Sequence, residues 1–180
     1  GNPAAVAISR GEDFTHWELV VLPCDASVPV RSVRGESTVI VKGRRVTNIA
    51  RWGRPTSLVS ESSNFGRTWT PIRASNLPMA TSKPHAGLLS TGQRYLICTT
   101  TSDSGCRRSP LTIAVSRPGE SAFSKVFVIR PALLDGAPDA TERSSLSYPC
   151  AVEHEGKLYV GYSNSGGRDG NFNSAELAVI

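Results

Sequence analysis

Ser62-Ser63-Asn64-Phe65-Gly66-Arg67-Thr68-Trp69 lies between two β-like runs, residues 56–61 and 70–74. The stretch reads Ser-x-Asn-x-Gly-x-Thr-Trp. A polar turn containing Gly and followed by Thr-Trp predicts a hairpin whose loop bonds to itself and whose Trp plugs the edge of a sheet. Weaker copies flank it. Upstream, residues 4–9 lead into Arg10-Gly11-Glu12-Asp13-Phe14-Thr15-His16-Trp17. Downstream, residues 111–116 lead into Arg117-Pro118-Gly119-Glu120-Ser121-Ala122-Phe123. The aromatic positions Trp17, Trp69 and Phe123 are 52 and 54 residues apart. Strand-built repeats with a period of roughly 40–50 residues predict propeller blades.

The rest of the chain also reads as strands, with no convincing helix. Residues 35–40 and 46–51 flank Lys42-Gly43, residues 87–89 and 94–99 flank Thr91-Gly92, and residues 148–153 and 157–162 flank Glu155-Gly156. Each is an apolar strand, a Gly turn and a second strand, which predicts a hairpin. Two hairpins in succession give the four strands of one blade. The expected fold is all-β. It opens in the outer hairpin of one blade at about 4–22, continues through blades at about 35–75 and 84–131, and ends in a partial blade at 147–180. That is about three blades, whereas a propeller ring needs at least four. The expectation is therefore part of a larger protein, or assembly with a second copy.

Composition bounds the function. The 180 residues are 39% hydrophobic, a globular balance. The net charge is +5 and the pI about 9.3. The basic residues are mostly Arg and are scattered, with Arg44-Arg45 and Arg107-Arg108 as the basic pairs. A nucleic-acid surface would show a basic stripe interleaved with aromatics. None is present, and an Arg-rich pocket for a small anion fits better. No apolar run approaches the length of a membrane-spanning helix. No signal peptide is present, and the chain begins Gly-Asn-Pro, as a trimmed start would; a secreted or periplasmic location is the expectation. Cys24, Cys98, Cys106 and Cys150 permit disulfides without requiring them, and Cys98 and Cys106 could bridge a hairpin. No C-x-x-C, H-E-x-x-H or EF-hand loop occurs, so neither a metal nor another cofactor is expected.

With these elements in place the chain resembles the sialidase (neuraminidase) superfamily, a six-bladed propeller family. The Ser-x-Asn-x-Gly-x-Thr-Trp stretch is similar to that family's Asp box, with Asn64 in the Asp position. The box is structural and also occurs in non-enzymes, so the order of other residues carries more. The family places a Glu on an inner strand, then a Gly turn, then an Arg about fifteen residues on. Here Gly35-Glu36-Ser37-Thr38-Val39-Ile40-Val41-Lys42-Gly43 leads to Ala50-Arg51. The resemblance implies Glu36 as a catalytic carboxylate and Arg51 as one arginine of a clamp for the substrate carboxylate. A further clamp arginine matches Arg117 in Ser116-Arg117-Pro118-Gly119, ahead of Phe123-Ser124. The nucleophilic tyrosine matches Tyr148 in Ser147-Tyr148-Pro149, 31 residues on.

The residue types suit the implied chemistry. A guanidinium fork holds a carboxylate bidentately in a way lysine does not reproduce. A tyrosine of ordinary pKa needs a base and a positive field to attack at neutral pH. A neutral Tyr–Glu pair avoids the repulsion that a carboxylate nucleophile would meet beside a substrate carboxylate, and sialidases depart from the two-carboxylate rule for glycosidases. Pro149 stands where the family usually has Ser, a form similar to divergent members with other substrates. The family's first clamp arginine and its Asp acid/base lie on early blades, and the resemblance implies that these belong to an N-terminal half missing from this chain. The expected function is removal of a terminal acidic sugar from a glycan through a tyrosine nucleophile. The alternatives are a non-catalytic propeller binding carbohydrate or protein, and a related enzyme for another acidic sugar such as a uronate. His85, in Lys83-Pro84-His85, begins an inner strand and is a candidate substrate contact, with a structural role as the plainer reading. Glu36, Arg51, Arg117 and Tyr148 likewise have plain readings as strand-edge charges and a strand cap.

Overall fold

The computed structural model describes residues 4–29, 33–100, 108–131, 144–165 and 174–180, and every regular element among them is a strand. β1 (Ala5–Arg10) and β2 (Asp13–Val21) form a hairpin. β3 (Val33–Lys42), β4 (Arg45–Trp52), β5 (Thr56–Ser62) and β6 (Arg73–Pro78) form an antiparallel meander. β7 (His85–Leu88), β8 (Arg94–Cys98), β9 (Leu111–Ser116) and β10 (Phe123–Arg130) form a second. β11 (Ser145–His154), β12 (Lys157–Ser165) and β13 (Ser174–Val179) form a third, of three strands. No helix of the described residues is long and apolar enough to cross a membrane.

The four sheets stack in chain order, and side-chain alternation explains why. A strand covered on both faces needs apolar residues at successive positions, and β8 is buried throughout. Leu96 and Cys98 turn to the β3–β6 sheet, where they meet Ile40, Ile49 and Met79. Tyr95 and Ile97 turn the other way and meet Leu146, Leu158, Val160 and Tyr162 of the β11–β13 sheet. A third cluster joins Ala50, Trp52, Leu58 and Ile72 to Leu22 and Val28, with Val6 and Trp69 packed against it. The sheets are also tied by polar contacts. Thr38 Oγ1 accepts the Ala86 N–H at 2.9 Å, and Glu153 accepts from the Ser90 N–H and hydroxyl at 2.7 and 2.6 Å. On the outer strands the Arg130 Nε donates to Glu176 at 2.9 Å, and the Asn164 amide donates to the same carboxylate at 2.8 Å.

The stretch 62–69 is a self-bonded loop. Ser62 Oγ accepts the Gly66 N–H at 2.9 Å and donates to Asn64 Oδ1 at 3.0 Å. Asn64 Oδ1 also accepts the Thr68 N–H at 2.9 Å, while its amide donates to Thr68 Oγ1 at 2.9 Å. The Trp69 indole N–H closes the loop on the Gly66 carbonyl at 2.7 Å. Phe65 and Gly66 both have left-handed φ, +61° and +86°. The strand after the loop begins at Arg73, later than residue 70. The reason is that Thr70 is spent on the loop, its N–H donating to the Glu61 carbonyl and its Oγ1 accepting the Glu61 N–H. Pro71 has no N–H, and Ile72 bonds to Pro23 and Asp25 instead. The upstream copy repeats the closure, with the Trp17 indole N–H donating to the Phe14 carbonyl at 2.9 Å. Cys24, Cys98 and Cys150 are free thiols, and burial pushes the Cys98 thiol up to about 12. Cys106 lies outside the described residues.

Candidate functional site

The first strands of the three meanders lie side by side, β7 against β3 on one side and β11 on the other. Their polar ties fix the alignment. Thr38 of β3 is level with Ala86 of β7, and Ser90 just beyond β7 is level with Glu153 of β11. Stepping back along each strand brings Glu36, His85 and Tyr148 to one end of the stack. Arg51 comes to the same end from β4, because antiparallel pairing sets Ser37 opposite Ala50.

At that end the Arg51 guanidinium donates to Glu36 Oε2 at 2.5 Å, with the two side chains 17% and 27% exposed. The irregular register of β3 between Val33 and Ser37 places Glu36 beside Arg51. Arg51 Nε is buried and has no hydrogen-bond partner among the described residues. The guanidinium is thus held by one edge and has donor capacity left over. A buried donor without a partner is costly, so a ligand acceptor placed there gains what the protein alone does not provide.

His85 lies half-buried, its Nε2 3.4 Å from the Tyr95 hydroxyl. Burial, then the charge of Lys83, holds its pKa below the ordinary imidazole value, against a hydrogen bond with the Ala151 backbone. The ring is therefore neutral at physiological pH. Burial, followed by the Glu153 charge, raises the Tyr95 phenol. Gly87 makes this arrangement possible, since a Cβ there would stand 2.6 Å from the Tyr95 hydroxyl oxygen.

Tyr148 is half-exposed and has φ +53°, on a bulge between Ser147 and Cys150. The left-handed region is unfavourable for a bulky side chain, and the following Pro149 restricts Tyr148 further. Strain of this kind clusters at functional sites. Among the described residues no hydrogen bond joins Tyr148 to Glu36, whose carboxylate is engaged by Arg51.

Arg117 is not brought to this group. β9 begins at the group's end at Leu111 and runs six residues, about 20 Å, to the opposite end. There Arg117 is 75% exposed and faces Glu120 across 3.7 Å. Its turn adjoins the other hairpin turns, with the Gly119 N–H donating to the Gly92 carbonyl at 3.0 Å and Lys42 Nζ to the Gly119 carbonyl at 3.1 Å. The arginine on that hairpin at the group's own end is Arg108, which precedes β9. It is half-buried, and its carbonyl accepts the Leu146 N–H at 2.7 Å, two residues from Tyr148. No motif marks it as a site residue. The available signal was its position before the third strand of a meander, which antiparallel order returns to the end where first strands begin. Among the described residues no group of three or more His, Cys, Asp or Glu is placed to hold a metal ion.

This stack of antiparallel sheets with Trp-closed loops has known relatives. The BNR repeat-like domain matches residues 4–160, and the chain belongs to that family. Similar solved structures include a Dyadobacter fermentans protein of unknown function, at 17% identity and TM-score 0.69, covering 96% of this chain and 44% of the other. Trypanosoma rangeli sialidase aligns at 12% identity and TM-score 0.68, covering 98% and 27%. A leech intramolecular trans-sialidase aligns at 12% identity and TM-score 0.58, covering 91% and 26%. The chain thus spans less than half the length of these structures and shares the fold of part of each. No curated protein matches the chain.

Proposed function

We propose that the chain is about three blades of a six-bladed sialidase-type propeller, and that the Glu36–Arg51–His85–Tyr148 end receives the terminal acidic sugar of a glycan. The observation that carries this reading is the half-buried Glu36–Arg51 pair with its unused Arg51 Nε, at the end where the strained Tyr148 also lies. In this reading Arg51 holds the substrate carboxylate. The Tyr148 oxygen forms a bond to the anomeric carbon, the glycosidic C–O bond breaks, and Glu36 takes the phenolic proton. Glu36 must then turn from Arg51 towards Tyr148 as the substrate carboxylate takes its place. A general acid for the leaving oxygen is also needed. We assign it to further blades of a longer protein, because a second copy of this chain would complete a ring but only repeat the residues already present. On this reading the protein works outside the cytoplasm, secreted or periplasmic, where glycans are met.

The test has two arms. Saturation-transfer NMR with free sialic acid should show binding that Arg51→Ala abolishes, and a fluorogenic sialoside should not be cleaved by these 180 residues alone. Binding without cleavage even when the ring is completed favours the non-catalytic reading, for which the absent Tyr148–Glu36 hydrogen bond speaks. Binding of a uronate in place of sialic acid moves the substrate to the other acidic sugar class. Cleavage by a 180-residue monomer refutes the assignment of the acid to further blades.

A further inference from the structure

A second cleft lies between the β3–β6 and β7–β10 sheets, and none of Glu36, Arg51, His85 and Tyr148 lines it. Its volume is about 840 Å³, within the range of small-ligand sites. One wall is the face of the β3–β6 sheet that looks towards β8, carrying Ser57, Val59, Glu61, Arg73, Ser75 and Leu77. The other is formed by Arg94 at the start of β8 and by residues 121–123 before and at the start of β10. Ile40 and Ile49, both core residues, close its inner side.

Arg94 is the unusual member. It is only 9% exposed, and its Nε is buried with no hydrogen-bond partner among the described residues. No described carboxylate forms an ion pair with it. A guanidinium cannot shed its proton to escape burial, so a buried one without an anion is an unfinished contact. Arg73 lines the same cleft from the opposite wall, is exposed, and likewise has no ion pair among the described residues. Against these two cations stands one carboxylate, Glu61. The balance in the cleft favours one anionic group. The remaining lining suits the rest of a polar ligand. The Ser57 and Ser75 hydroxyls, 2.6 Å apart, form a pair that can exchange hydrogen bonds with ligand hydroxyls, and Glu61 can accept from one. Val59, Leu77 and Phe123 give an apolar wall for the carbon face of a ring.

We propose that this cleft is a second ligand site, for a polyhydroxylated oxyanion of about monosaccharide size. Arg94 and Arg73 hold the anionic group, and the paired serines and Glu61 take hydroxyls. The site stands independently of the function proposed for the Arg51 end.

The experiment titrates the chain with D-glucuronate, D-glucose 6-phosphate and neutral D-glucose, following the arginine Nε–H signals by NMR. Saturable shifts of the Arg94 Nε–H signal are expected with at least one anion, and whichever binds identifies the carboxylate or the phosphate form. Affinity should fall at least tenfold in Arg94→Lys, which keeps the charge and loses the fork, and in Arg73→Ala. Should Arg94→Lys not fold, Arg73→Ala decides alone, because that side chain is exposed. Glucose binding as tightly as the anions overturns the proposal, as does no response to any probe or undiminished binding in the variants that fold. A response lost in Arg51→Ala but kept in the cleft variants places the anion at the other end of the sheets. That result also overturns the second site, while supporting the first.

Discussion

Asn64 stands where the related box has Asp, and replacing it tests whether the loop's own hydrogen bonds hold the 62–69 turn. Asn64→Ala removes three side-chain bonds: one from the Ser62 hydroxyl, one from the Thr68 N–H and one to Thr68 Oγ1. Each hydrogen bond contributes about 0.5–1.5 kcal/mol net, and two of these three are exposed, so the loss is about 1.5–2 kcal/mol. With a urea m-value of about 2 kcal/mol/M, the unfolding midpoint should fall by about 0.7–1 M without a change in slope. Asn64→Asp keeps the acceptor for Ser62 and for the Thr68 N–H. The Thr68 hydroxyl can rotate to donate to the new carboxylate, so this variant should stay within about 0.5 kcal/mol of the parent. Urea melts of all three proteins, followed by tryptophan fluorescence, make the comparison. Equal midpoints for Asn64→Ala and Asn64→Asp would refute the reasoning, since the two differ chiefly in whether the oxygen acceptor remains.

Phe65→Gly should raise stability by about 1 kcal/mol, seen as a higher melting temperature, because Phe65 is exposed at φ +61° and Gly meets no steric penalty there. Gly87→Ala should destabilise by about 1–3 kcal/mol in the same melts, because its methyl group collides with the buried Tyr95 ring. Stability should also fall in acid through Glu176. Burial works to raise its pKa, but hydrogen bonds from Arg130, Asn164 and Tyr162 and the Arg130 charge outweigh that and hold it below the ordinary carboxylate value. Its folded pKa is thus below its unfolded one. The contribution is complete above the unfolded value of about 4.5 and is lost as pH falls through the folded one. Melts between pH 7 and pH 3 should show a shallower acid loss in Glu176→Gln, and identical pH profiles would remove Glu176 from the account.

Much of the strand order was legible because its signals are local. A Gly two residues past an apolar run marks a hairpin, and Gly43 indeed adopts φ +57° in the β3–β4 turn. The site was legible only in part, because it depends on which end of a sheet a residue reaches. Glu36 and Arg51 face each other across one hairpin, so short-range spacing predicts their meeting. Arg117 follows the third strand of its meander, and antiparallel order sends the end of a third strand away from the start of the first. Spacing along the chain matched the resemblance while strand parity opposed it. The left-handed backbone of Tyr148 had no local signal, since Ser-Tyr-Pro gives no hint of a bulge. The cleft around Arg94 was equally hidden, as it needs two sheets to make it.

Each pair of neighbouring sheets shares its own apolar cluster, and no described cluster spans the whole stack. Such a chain behaves as layers coupled to nearest neighbours, and its stability is graded along its length. The β3–β6 and β7–β10 sheets, each packed on both faces, should give up their amide protons to solvent last. The β11–β13 sheet presents Val152, Leu177 and Val179 on its outer side, while the opening hairpin presents Leu19 and Val21. These end layers should exchange through openings that leave the centre intact. Adding a layer at either end would then do more than extend the array. It would turn a frayed terminus into an interior one and raise the cooperativity of every layer behind it.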